Sequence, residues 1–202
     1  MNEKEPILCT AFEGSRCIAS GELAAVVRKV KAVIDEGTKK PVLIFDDRSS
    51  EVIEVDFRGT VHEVLKKLEQ PPPAPAPADE NVARGPGRPK LGVVSREVTL
   101  LPRHWDWLNS QPGGASVALR KLVEEARRVN SGKDKVRRSQ EVAYRFMSAM
   151  AGDLPGFEEA TRALFAADRE RFDGLTEGWP ADVRDHARKL AAVALTLPAG
   201  SA

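Results

Sequence analysis

The stretch Pro71-Pro72-Pro73-Ala74-Pro75-Ala76-Pro77-Ala78 divides this chain of 202 residues. Five prolines in eight positions remove amide donors and fix φ, which bars both helix and sheet ladder. The expected form is an extended, polyproline-type spacer of about 3.1 Å per residue. Asp79 to Gly92 continues polar and glycine-rich, so order should resume near Val93. The expected organisation is a small α+β domain over 1–70, a Pro/Gly-rich basic linker over 71–92, a short module over 93–130 and a helical region over 131–202.

Upstream of the spacer, Ile7 to Phe12 and Arg16 to Ser20 are β-prone runs flanking Gly14-Ser15, which suits a hairpin. Leu23, Val26, Val27, Val30 and Val33-Ile34 then recur at helical spacing, with Gly37 placed to end the helix. Val42-Leu43-Ile44-Phe45, a turn at Asp46-Asp47-Arg48-Ser49-Ser50, and Val52-Ile53-Glu54-Val55-Asp56-Phe57 suggest two more strands. Thr60 can cap a last helix carrying Val61, Val64, Leu65 and Leu68. The order ββαββα predicts a small antiparallel sheet with two helices on one face.

Downstream, Val93 to Leu101 is one β-prone run and almost everything beyond is helical in pattern. A helix is expected from Pro102, proline being favoured at the first position, to about Gln111. Pro112-Gly113-Gly114 stops it, and Ser116 is placed to cap a second helix bearing Val117, Leu119, Leu122, Val123 and Ala126. Further helices are expected over Val136–Met150, Pro155–Ala167, Asp168–Thr176 and Pro180–Leu195.

The net charge of +1 hides a strong asymmetry. Residues 84–139 hold 13 Lys/Arg against 5 Asp/Glu, while 1–83 and 140–202 are both acidic. A basic block between acidic ones is what a chain shows when its middle meets a polyanion, or else when it carries a solvated basic surface.

Two features of that block carry a mechanism. Arg84-Gly85-Pro86-Gly87-Arg88-Pro89-Lys90 contains a Gly-Arg-Pro core that resembles an AT-hook, an extended peptide lying in the minor groove of A·T-rich DNA. Glycine allows close approach, proline holds the strand extended, and arginine enters the negative potential of a narrow groove. Pro86 stands where that motif usually has its first arginine, and the same composition also suits a solvated linker. The second feature is Arg96-Glu97-Val98-Thr99-Leu100-Leu101-Pro102-Arg103-His104-Trp105-Asp106-Trp107-Leu108 with Gly114-Ala115-Ser116-Val117-Ala118-Leu119-Arg120 following. This strand, helix, turn and helix resembles a ribbon–helix–helix module. The resemblance implies an obligate homodimer whose paired strands enter the major groove. It also implies that Leu101, Trp105, Leu108, Leu119, Leu122 and Val123 fill a shared core, with Ser116 and Arg120 at a phosphate. The outward strand residues would be Arg96, Val98 and Leu100, or Ser95, Glu97 and Thr99 in the other register. Only Arg96 among them suits bidentate base reading. The candidate DNA-binding residues are therefore Arg84, Arg88, Lys90, Arg96, Arg103, Ser116 and Arg120.

Gly87-Arg88-Pro89-Lys90-Leu91-Gly92, Leu100–Leu108, Gly113-Gly114-Ala115-Ser116 and Gly178-Trp179-Pro180-Ala181-Asp182-Val183-Arg184-Asp185-His186 together resemble an uncharacterised bacterial family, domain-of-unknown-function family 2239. That resemblance implies a bacterial cytoplasmic protein and supplies no activity.

Catalytic chemistry finds no footing. His62, His104 and His186 are unpaired at any ligand spacing, and Cys9 and Cys17 lack a C-x-x-C pattern, so no cofactor, metal or enzyme role is expected. Asp46-Asp47 reads as a backbone turn rather than a metal loop. With 42% hydrophobic, 30% charged and 5% aromatic residues, a core is affordable, but no apolar run nears the ~20 residues of a membrane span. The start Met1-Asn2-Glu3-Lys4-Glu5 is no secretory signal, which with two cysteines points to the cytoplasm. The sequence thus predicts a dimeric DNA-binding protein, a transcriptional regulator or nucleoid-associated factor. The alternative is a protein–protein adaptor with a helical dimerisation module and no DNA role.

Overall fold

The computed structural model describes residues 6–69, 94 and 96–196. The expected spacer over 71–92 lies outside them. The elements are β1 (Leu8–Glu13), β2 (Arg16–Glu22), α1 (Leu23–Asp35), β3 (Val42–Asp46), α2 (Val61–Glu69), α3 (Pro102–Ser110), α4 (Gly114–Met150), α5 (Phe157–Phe165), α6 (Arg169–Thr176) and α7 (Ala181–Thr196). They fall into two compact units, one of Met1–Pro71 with Gly132–Ala202 and one of Pro72–Ser131. The residues expected to form separate N- and C-terminal regions therefore share one unit.

In the first unit β1 and β2 form the expected hairpin, with Gly14 at φ 55° in the turn, and β3 pairs antiparallel with the other edge of β1. The sheet order is β2-β1-β3. Being central, β1 is buried at four consecutive positions, Cys9 to Phe12, and its side chains alternate between two cores. Cys9 and Ala11, with Ile44, pack against Val26, Val27 and Val30 of α1 and Val64 of α2. Phe12 and Phe45 face the other way, into a core with Ala143, Phe146 and Met147 of α4 and with α5, α6 and α7. Helices thus cover both sheet faces, not one. The N-terminal pattern could show only the first face, because its other cover comes from the far end of the chain.

The expected fourth strand is also corrected. Val52 forms a single bridge with Phe45, and Ile53 N donates to Ile44 O at 2.7 Å. Beyond that point the segment keeps strand alternation, with Ile53, Val55 and Phe57 half-buried against the α1 side, but forms no ladder. Its apolar residues are used in packing without the backbone pairing that the periodicity implied. At the other end of this segment Thr60 and Glu63 form a reciprocal capping box on α2: Thr60 N donates to Glu63 Oε2 at 2.7 Å and Glu63 N to Thr60 Oγ1 at 3.3 Å.

In the second unit α3 starts at Pro102 as expected, and Gly113 and Gly114 at φ 86° and 73° make the turn into α4. The two helices expected over 116–130 and 136–150 are one helix of 37 residues. Asn130-Ser131-Gly132 reads as a break, yet it lacks proline, and its polar side chains bond back onto the preceding turn. Asn130 Nδ2 donates to Ala126 O at 2.9 Å and Ser131 Oγ to Arg128 O at 3.0 Å.

His186 is the one titratable ring in the core. It lies 4.6 Å from the Phe146 ring and 5.5 Å from Phe12, centroid to centroid, and its Nε2 has no hydrogen-bond partner. Burial holds its pKa below the ordinary 6.5, with Asp47 pulling it up and Lys189 pushing it down. The unfolded chain therefore takes up a proton more readily than the folded one, so stability should be lost as pH falls through 6.5. Urea midpoints measured at neutral and mildly acidic pH should show this loss, and His186→Phe should flatten it. An unchanged acid slope in the variant would contradict the assignment.

Candidate nucleic-acid interface

Of the residues expected to meet DNA, Arg84, Arg88 and Lys90 lie outside the described residues. The other four sit within 25 residues of sequence, in the second unit, and all are exposed: Arg96 on the extended segment before α3, Arg103 in the first turn of α3, and Ser116 and Arg120 in α4. Arg96 and Arg103 make no ion pair among the described residues. Arg120 differs, donating from Nη2 to Ser116 Oγ at 2.9 Å.

Ser116 is not a cap. The helix begins two residues earlier, at Gly114, whose amide donates to Gln111 O at 2.9 Å. Sequence reasoning gave the capping position to the hydroxyl because serine favours it; the glycine pair instead makes the sharp turn with its own backbone. Ser116 thus lies in the first turn of α4, where a helix keeps spare amides and a positive dipole end, and Arg120 one turn on adds a full positive charge beside it.

Residues 94 and 96–101 form no strand and pair with nothing among the described residues. Arg96, Glu97, Val98 and Thr99 are all exposed, so neither register of outward side chains is selected. The apolar set expected to fill a shared core is largely bare. Only Leu108 is fully buried, Trp105 and Leu119 are half-buried, and Leu101, Leu122 and Val123 are exposed. Trp107, left out of that set, is 51% exposed. Among described residues of the unit, only Leu108 and Ala118 are buried apolar side chains, too few to stabilise it alone.

The rest of the molecule offers little reactive chemistry. Burial, followed by the charges of Asp47 and Asp46, pushes the Cys9 thiol up to about 11, which makes it inert. Asp46 is occupied by the amides of Arg48 and Ser49, both at 2.8 Å, as its turn reading implied. Asp47, which sequence reasoning treated as its twin, instead accepts from Thr10 Oγ1 at 2.7 Å, on the sheet face that Thr10 shares with Phe12. No local pattern could have separated the two aspartates. Among the described residues no group of three or more His, Cys, Asp or Glu could hold a metal ion, and no helix is long and apolar enough to cross a membrane.

These features define a mixed α+β protein, mostly helical, built on a small three-stranded antiparallel sheet. The family described as "Uncharacterized protein conserved in bacteria (DUF2239)" matches residues 8–191, and the chain belongs to that family. Comparison with curated proteins and with solved structures finds no match.

The two hydroxyl residues make a direct test of the helix starts. Thr60→Ala should lower stability by about 1 kcal/mol through loss of its capping box. Ser116→Ala should change it by less than about 0.5 kcal/mol, as an exposed non-capping site does. Chemical denaturation of both variants checks the pair, and equal losses would return Ser116 to the capping role.

Proposed function

We propose that this protein is a dimeric DNA-binding protein, of transcriptional-regulator or nucleoid-associated type, contacting DNA through the basic segment 84–130. One observation carries the reading: a strand-prone, exposed segment before α3 has no strand partner among the described residues, in a unit whose described residues include only two buried apolar side chains. A second copy would supply both the missing strand and the missing core. The unpaired Arg96 and Arg103, with Arg120 at the start of α4, would then lie on the same module as the paired strands. Arg84, Arg88 and Lys90 precede it directly in sequence, as a minor-groove arm would beside a major-groove element.

With about six phosphates neutralised, log affinity against log salt should fall with a slope near −5. Titrating the full chain with A·T-rich and G·C-rich duplexes over a salt series measures this. Arg120→Ala should reduce the slope by about 1 on every duplex, while Arg88→Ala should act mainly on the A·T-rich one. Absence of binding at low salt would remove DNA from the proposal. It would favour the adaptor reading, in which the same exposed apolar set, Trp107 included, meets another protein.

A further inference from the structure

The apolar residues of α4 recur in alternating steps of three and four: Leu119, Leu122, Ala126, Val129, then Val136, Ala143 and Met147, with the polar Lys133 and Gln140 at the intervening steps. This is the heptad spacing that keeps one stripe facing a partner along a supercoiled helix pair. The stripe has two fates. Within the first unit Ala143 and Met147 are wholly buried in the core. Within the second unit Leu122 and Val129 are 47% and 66% exposed, and every residue from 120 to 131 is exposed. A helical stretch exposed all round has no use for a continuous apolar stripe unless something covers it.

We infer that α4 pairs along Leu119, Leu122, Ala126 and Val129 with the same stripe of a second copy of this chain, forming a short coiled coil. A second copy is the fitting occupant for two reasons. The heptad pattern is self-complementary, so two identical helices interlock knob into hole without any further sequence requirement. The small Ala126 between Leu122 and Val129 lets the backbones approach closely. The inference shares the second copy with the proposed function, but it rests on α4 and not on DNA or on the strand before α3.

The test uses the full chain, light scattering after size exclusion at several concentrations, and three variants. The native chain should have twice the mass of one copy. Ala126→Lys with Val129→Lys, both outside the apolar set of the ribbon–helix–helix resemblance, should return it to a single mass with its helix content retained, whereas Glu124→Lys, a positive charge placed off the stripe, should leave the dimer intact. Ala126→Cys in a Cys17→Ser background should join two copies through a short bis-maleimide. A dimer that survives the double lysine change, or that Ala126→Cys cannot crosslink, overturns the inference. Val98→Pro separates this outcome from the fate of the strand pairing. If it alone dissociates the dimer, the ribbon holds the copies together, the α4 pairing is wrong and the DNA-binding reading stands. A native chain of single mass overturns both.

Discussion

Phe146 of α4 touches three rings at once: Phe12 at 5.4 Å, Phe45 at 5.2 Å and His186 at 4.6 Å. Those partners come from two strands and the last helix, so this contact is where a three-stranded sheet and a helical C-terminal region become one unit. A sheet of that size cannot persist with a bare apolar face. Its first face is covered locally, by α1 and α2. Its second face depends on residues more than a hundred positions away. Burying one such aromatic side chain contributes about 1.5–3 kcal/mol, a large share of the stability of a domain this size. Polar contacts fix the docking: Cys17 N donates to Asp182 Oδ2 at 2.8 Å, and Ser139 Oγ donates to Leu190 O at 2.7 Å.

What the sequence revealed and what it hid follow from this distinction between local and distant causes. The β1–β2 hairpin, α1 stopping just before Gly37, the Thr60 cap, and α5 to α7 are set by turn chemistry, caps and periodicity within a few residues, and each appears close to where the pattern placed it. The covering of the second sheet face was hidden, because nothing near Phe12 or Phe45 names Phe146 as a partner. The failed ladder of 52–57 shows the reverse error, since alternation reports which side chains face a core but not whether the backbone finds a neighbouring strand. The unbroken α4 is a third kind. Asn-Ser-Gly weakens a helix without forbidding it, and side-chain bonds back to the previous turn make it tolerable.

The candidate interface was legible in composition and in motif, but its geometry was not. Charge by segment located the basic block, and the Leu-Pro start of α3 with the glycine turn into α4 placed two of its elements correctly. Ser116 was placed in the right turn with the wrong task, because a residue's preference for a cap says nothing of whether two glycines before it have already started the helix. In the proposed role base reading would fall to Arg96, since its own register otherwise holds the apolar Val98 and Leu100 and the other holds Ser95, Glu97 and Thr99, none of which makes a bidentate contact to guanine.

The two units pose opposite stability problems. The first unit has a two-sided sheet, an aromatic centre and buried residues from nine elements, so it carries a core of its own. The second has two helical stretches, an unpaired extended segment and more large apolar side chains in water than out of it. Chain entropy at roughly 1–2 kcal/mol per ordered residue exceeds what Leu108 and Ala118 return. Since α4 carries one apolar stripe, covered in the first unit and exposed at Leu122 and Val129, the proposed second copy would supply the cover that the described residues of the second unit lack. On that proposal association, not base reading by individual side chains, would be the step that assembles a basic surface from Arg96, Arg103 and Arg120.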